Sequence, residues 1–139
     1  MEVQIVGMKA HFNICKAVLP YMRKRNEGRI VYISGGLIYR FMKGCAAYSA
    51  VKAGMSAFNK SLALEEAAKN ITVNIVAPGK IVTDTASEKW DEVDALPPLG
   101  RFASGADVAN AAISCLLPEN AFITGQTVYL AGGEIMPMP

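Results

Sequence analysis

The sequence predicts an α/β layered fold built on a parallel sheet. Three observations carry this. Helical and strand-like segments alternate along the chain in the order α-β-α-β-α-β. The first two strand-like runs are short and nearly all apolar, the pattern of a sheet covered on both faces. A long helical stretch joins those two runs, as a crossover between parallel strands requires.

The first element is an amphipathic helix over about residues 2 to 24. Val3, Val6, Ala10, Ile14, Ala17 and Val18 recur at helical spacing and define its expected apolar face. Pro20 marks an end or kink, and the cluster Arg23-Lys24-Arg25 suits a helix C-terminus, where the macrodipole favours cations. His11 reads as a helix-surface or partly buried histidine, because no Ser/Asp pattern accompanies it. Asn26-Glu27-Gly28 is turn chemistry. Ile30-Val31-Tyr32-Ile33 then forms the first strand, closed by Ser34-Gly35-Gly36 at the end where open α/β sheets receive ligands.

The second helix spans 46 to 69. Ala46, Ala50, Gly54 and Ala57 make a strip of small residues that permits close approach, with Phe58, Leu62 and Leu64 as bulkier packing. Asn70 fits a left-handed helix cap. The second strand, Ile71 to Ala77, ends at Pro78-Gly79. Residues 80 to 103, with Pro97-Pro98 and little periodicity, read as a mobile region with a short helix. A third helix follows over Ala106 to Leu117, with Ser104 or Gly105 at its start, and a third strand over Gln126 to Leu130.

Bulk composition narrows the function. The chain has 139 residues, enough for one domain; 52% are hydrophobic and 19% charged, with a net charge of +2. No field of this size argues for nucleic acid or an anionic membrane. The three cysteines (Cys15, Cys45, Cys115) are widely spaced and outside any Cys-x-x-Cys array, which excludes a zinc framework and points to a reduced, cytoplasmic setting. The N-terminus lacks signal-peptide character, and no apolar run reaches the roughly 18 residues of a membrane span.

The chemistry concentrates in Tyr48-Ser49-Ala50-Val51-Lys52. Residues four apart share a helix face, so the phenol of Tyr48 and the ammonium of Lys52 point to one place. A phenol titrates near pH 10, and a nearby cation favours the phenolate. Bringing it to about pH 7 needs roughly 4 kcal/mol of differential stabilisation, at 1.36 kcal/mol per pH unit. A tyrosine acid/base tuned by a lysine is the chemical expectation.

Five motifs then fall into one order: Gly28-Arg29-Ile30-Val31; Tyr48-x-x-x-Lys52; Val73-Asn74-x-Val76-Ala77-Pro78-Gly79-x-Ile81-x-Thr83; Leu99-Gly100-Arg101; and Ile123-Thr124-Gly125-Gln126. Together they resemble the short-chain dehydrogenase/reductase family, over about residues 6 to 133. The resemblance implies a Rossmann-like doubly wound parallel sheet, of which residues 1–139 are the catalytic and substrate half. It implies NAD or NADP as cofactor and reversible hydride transfer between a small-molecule alcohol and a carbonyl. Tyr48 would be the general acid/base. Lys52 would lower its pKa and bind the nicotinamide ribose. Pro78, Gly79, the Ile81 backbone and the Thr83 hydroxyl would hold the nicotinamide carboxamide. Thr83 equally suits an ordinary helix N-cap. Residues 84–103 resemble the substrate lid. Tyr39, Phe41, Met42, Trp90 and Leu96 are candidates for an apolar substrate pocket, or plain packing. Family members pair through the two long helices and the C-terminal strand region, so a homodimer or homotetramer is expected.

The chain departs from the family pattern in three places. The serine thirteen residues before the tyrosine is replaced by Gly35, with Ser34 one position earlier as the candidate substitute. The family's first-helix asparagine aligns with Gly7. No Gly-x-x-x-Gly-x-Gly or Gly-x-Gly-x-x-Gly follows a strand to take a pyrophosphate, which leaves an expected unpaired sheet edge. These departures keep two alternatives open: a noncatalytic assembly protein that retains the association helices, and a lyase or isomerase using Tyr48 without net redox.

Overall fold

Helix α1, Glu2–Arg25, opens a computed structural model that describes residues 2–36, 42–82 and 96–137, with side chains from residue 6 onward. It is followed by β1 (Gly28–Ile33), α2 (Ala46–Glu66), β2 (Ile71–Pro78), α3 (Gly105–Leu116) and β3 (Thr127–Leu130). Short 3-10 turns extend α2 over Ala67–Lys69 and α3 over Pro118–Asn120. The alternating order and the parallel sheet are those expected from the sequence.

The sheet runs β1-β2-β3, all parallel. Gly28 pairs with Ile71 and Ile33 with Val76; Ile75 pairs with Thr127 and Pro78 with Leu130. Helix α2 lies on β2 with α1 against it, while α3 crosses all three strands. Every residue of β2 is buried. β1 differs from expectation here: its residues are mostly half-buried, and Ile33 is exposed. The cause is position, since β1 pairs only with β2 among the described residues and its far side is an open edge, as the sequence suggested.

Two α-helical faces also correct the sequence reading. On α1 the side turned to the core carries Cys15 and Leu19, with Met22 packed against them. Val6, Ala10, Ile14, Ala17 and Tyr21, most of them the expected core stripe, face outward. Periodicity identifies an apolar stripe but does not say which of two stripes meets the sheet. On α2 the small-residue strip Ala46, Ala50, Gly54 and Ala57 is likewise exposed, and Leu64 is 83% exposed, whereas Leu62 and Ala63 are in the core. The tips of the two helices are tied by an ion pair between Arg23 and the buried Glu66 carboxylate. The guanidinium holds that carboxyl below its usual range.

Local signals explain the element ends. Asn26 and Asn70 adopt left-handed conformations, with φ of 54° and 53°, and each turns a helix into the strand that follows. Pro20 sits inside α1 without ending it. Helix α3 starts from a capping box: Asp107 N donates to Ser104 Oγ at 3.2 Å, and Ser104 N donates to Asp107 Oδ2 at 2.8 Å. Arg101 clamps the same carboxylate with two hydrogen bonds, at 2.8 and 3.0 Å. The loop before β3 is stitched to β2 by Asn74, which is fully buried. Its Nδ2 donates to the Ile123 carbonyl at 2.7 Å, and its Oδ1 accepts from Gln126 N at 3.1 Å.

Candidate functional site

The C-terminal ends of the strands converge, and the candidate residues lie there. A side chain on Gly36 would come within 3.0 Å of the Pro78 carbonyl and 3.3 Å of Gly79 Cα, so only glycine lets the end of β1 approach the end of β2 this closely. Helix α2 begins beside this crossing and lays Tyr48 and Lys52 over it, one turn apart.

Lys52 is half-buried, and its Nζ donates to the Ile33 carbonyl at 3.0 Å. The same nitrogen lies 5.8 Å from the centroid of the Tyr48 ring and 5.2 Å from that of Tyr32. The structure thus brings together the predicted pair, with Tyr32 as a third member that sequence reasoning missed. No local signal in the sequence singles out Tyr32, because it reaches the ammonium from a different element.

The phenol of Tyr48 points at Gly35. A Cβ built on that residue would stand 2.4 Å from Tyr48 Oη and 3.4 Å from Cζ. The position where the family pattern places serine is therefore directly under the Tyr48 hydroxyl. Its lack of a side chain lets the hydroxyl rest against the backbone. Ser34, the candidate substitute, is engaged elsewhere: it is buried, and its hydroxyl is 3.0 Å from Ser56 Oγ of α2. Ser56 in turn donates to the Lys52 carbonyl at 2.9 Å. Ser34 fastens β1 to α2 behind the pair rather than joining the phenol in front of it, since successive strand residues face opposite ways.

Electrostatics at the pair run against the tuning expected from the spacing. Burial pushes the Tyr48 phenol up, with a smaller push from Cys45, and burial pushes the Lys52 amine down. Desolvation disfavours both charges, and the ammonium sits over the ring face rather than at the hydroxyl. In this state both groups favour their neutral forms more than free side chains do. Tyr32 is likewise raised, first by burial and then by Tyr48.

The loop after β2 supplies a backbone edge. Ile81 forms a parallel bridge with Ala103, in which Ala103 N donates to the Lys80 carbonyl at 3.2 Å and Val82 N donates to the Ala103 carbonyl at 2.8 Å. Parallel pairing of this kind uses the groups flanking Ile81 and turns its own N–H and C=O the other way. That edge fits a carboxamide, which presents one donor and one acceptor. Tyr48, Lys52, Pro78, Gly79 and Ile81 are the residues that could hold the nicotinamide end of a dinucleotide. Thr83 lies outside the described residues, as do Tyr39, Phe41, Trp90 and residues 84–95 of the expected lid. Met42 and Leu96 are exposed. The rest of the lid region is anchored: Pro97 is buried, and Leu99 N donates to the Gly132 carbonyl at 3.0 Å.

His11 is partly buried, as expected, with Nε2 3.0 Å from Asn59 Oδ1. All three cysteines are free. Among the described residues there is no cluster of metal-ligating side chains, and no helix is long and apolar enough to cross a membrane.

Comparison with known proteins finds relatives over most of the chain. Residues 2–134 match the family model described as Enoyl-(Acyl carrier protein) reductase. The chain is 40% identical over 140 residues to the 3-oxoacyl-(acyl-carrier-protein) reductase FabG of Buchnera aphidicola, covering 97% of this chain and 57% of that protein. It is also 40% identical over 134 residues to the FabG of Escherichia coli K12, covering 94% and 55%. Among solved structures, a 3-oxoacyl-(acyl-carrier protein) reductase from Brucella melitensis superposes with a TM-score of 0.84 at 35% identity, over 91% of this chain and 49% of that one. A reductase from the same organism with bound NAD superposes at 0.81, again at 35% identity, over 91% and 48%. The chain thus spans about half the length of the curated relatives it matches. On its motifs, its Rossmann-like sheet and these matches, the chain belongs to the short-chain dehydrogenase/reductase family of oxidoreductases.

Proposed function

We propose that this chain is the catalytic and substrate part, a single partial domain with residues 84–103 as lid, of an NAD(P)-dependent enzyme that interconverts an alcohol and a carbonyl. The observation that supports it best is the Tyr48–Lys52 pair over the end of β1, where Gly36 comes against Pro78 and Gly79 at the start of the loop that carries Ile81. A bound NAD or NADP would supply or accept hydride. Tyr48 donates the phenolic proton to the carbonyl oxygen in reduction and recovers it in oxidation. Lys52 binds the ribose hydroxyls and stabilises the phenolate that follows proton release. That attraction acts against burial, which raises the phenol and lowers the amine. Ile81, with Pro78, Gly79 and Thr83, orients the nicotinamide. Ser34 holds the strand end to α2. The relatives' names direct the substrate choice to 3-oxoacyl thioesters, and a cytoplasmic setting accords with three free cysteines.

The exposed stripe on α1 and the small-residue strip on α2 support self-association as a homodimer or homotetramer. A second reading, a noncatalytic assembly protein, is favoured by that stripe together with Gly35 and Gly7. Turnover decides between the two. A chimera joining the part of E. coli FabG outside the match to residues 2–134 should reduce a 3-oxoacyl thioester only while Tyr48 is present. Equal rates with and without the Tyr48 hydroxyl would support the assembly reading instead.

A further inference from the structure

A half-buried ammonium needs more than one partner, and Lys52 donates one hydrogen bond to a main-chain carbonyl, that of Ile33. Among the described residues two rings also face it: the Tyr32 centroid is 5.2 Å away, nearer than that of Tyr48 at 5.8 Å. A cation within about 6 Å of a ring face is attracted by the ring quadrupole, the more so when desolvated. The Tyr32 ring is itself in contact with α1. His11 of α1 lies against it with centroids 4.8 Å apart and ring planes at 57°. His11 is fixed by Asn59, which is fully buried and donates to the Met55 carbonyl at 2.7 Å. Within the sheet, Tyr32 pairs in register with the apolar Ile75 of β2. Among the described residues the titratable groups near Lys52 are Tyr32 from β1, His11 against that ring from α1, and Tyr48 with Cys45 from α2 and its N-terminus. The first-helix position where the family carries asparagine is Gly7, exposed and with no atom within 4 Å of where a Cβ would stand.

We propose that Tyr32 is a positioning residue whose ring holds the Lys52 ammonium at the end of β1 beside Tyr48. Its π face, not its hydroxyl, does the holding. What the held ammonium is for rests on the catalytic reading above, but the holding itself does not. The test uses the 139-residue chain labelled with 13C at lysine Cε, with the Lys52 resonance assigned by Lys52→Arg and its pKa followed by NMR. Tyr32→Phe, which keeps the ring, should leave the Lys52 pKa within about 0.3 pH unit of wild type. Tyr32→Leu should lower it by about 1 pH unit, because the charged form loses its aromatic partner. A Lys52 pKa unmoved by Tyr32→Leu, or lowered equally by Tyr32→Phe, overturns the proposal. Should Tyr32→Leu fail to fold, nuclear Overhauser contacts between Lys52 Hε and the Tyr32 ring in the wild type decide it: their presence supports the clamp and their absence overturns it. Failure of Tyr48→Phe to abolish turnover would instead remove the catalytic reading and leave this clamp standing.

Discussion

Placing a methyl group on Gly35 tests the position of the Tyr48 phenol without any assay of activity. The Cβ of Gly35→Ala would lie 2.4 Å from Tyr48 Oη, 3.4 Å from Cζ and 3.6 Å from Cε1. Non-bonded heavy atoms are comfortable at about 3.5 Å, so the hydroxyl must retreat by about 1 Å. Gly35 is buried, and overpacking of this size costs about 1–3 kcal/mol. Working against that, alanine restricts the unfolded chain and stabilises by about 0.4–1 kcal/mol, since Gly35 does not sit at positive φ. Removing the hydroxyl with Tyr48→Phe leaves the nearest ring atoms at ordinary contact distance, so there Gly35→Ala should be neutral or slightly stabilising. The entropy contribution cancels in a double-mutant cycle, which isolates a coupling of about 1–3 kcal/mol between the two sites. Urea unfolding followed by circular dichroism reads it. With a slope of about 1.5 kcal/mol per molar urea, a coupling near 2 kcal/mol separates the midpoints by about 1 M. A coupling below about 0.5 kcal/mol would refute the placement of the phenol over Gly35.

Three other outcomes follow from the packing and the charges. Asn74→Leu removes both hydrogen bonds that stitch the loop before β3 to β2, and should cost about 2–4 kcal/mol in the same urea assay; a loss under about 1 kcal/mol would mean water replaces them freely. The clamp on Asp107, chiefly Arg101 and then Ser104, holds its carboxyl far below the usual range. A depressed carboxylate contributes stability that is complete above its unfolded pKa of about 4 and lost as the pH falls further. Asp107→Asn should therefore flatten the acid limb of a stability-versus-pH curve below about pH 4, and an unchanged limb would contradict the clamp. Charging the exposed stripe with Ile14→Arg and Leu64→Arg should shift sedimentation toward the monomer while leaving the circular dichroism spectrum intact; unchanged sedimentation would separate these faces from assembly.

How far the sequence foresaw this structure depended on whether a signal was local. Element order, the two left-handed asparagines and the helix over Tyr48 and Lys52 all follow from neighbours in the chain, and each is found. The orientation of α1 was not legible, because apolar residues lie on both of its faces and only tertiary contact chooses between them. Stripe Val6–Ile14–Tyr21 and stripe Cys15–Leu19–Met22 are equally periodic. The partial exposure of β1 is a matter of sheet order, which composition does not encode. At the site, spacing brought Tyr48 to Lys52 correctly, whereas Ser34, expected to stand in for the missing serine, is bonded to Ser56 instead. Two features required coordinates. One is Tyr32, which reaches the ammonium from another element. The other is the sign of the burial effect, which moves phenol and amine away from their charged forms.

The central claim is that the Tyr48 hydroxyl carries the proton, and the rate of Tyr48→Phe tests it most directly. In the chimera with the E. coli FabG segment, oxidation of NADPH or NADH by a 3-oxoacyl thioester would be followed at 340 nm, with cofactor binding measured in parallel by fluorescence. Loss of a positioned general acid should lower kcat by about 10²–10⁴-fold. Cofactor affinity should be nearly unchanged, because Lys52 and the Ile81 edge remain in place. A kcat within about tenfold of the parent, at equal cofactor affinity, would contradict the account.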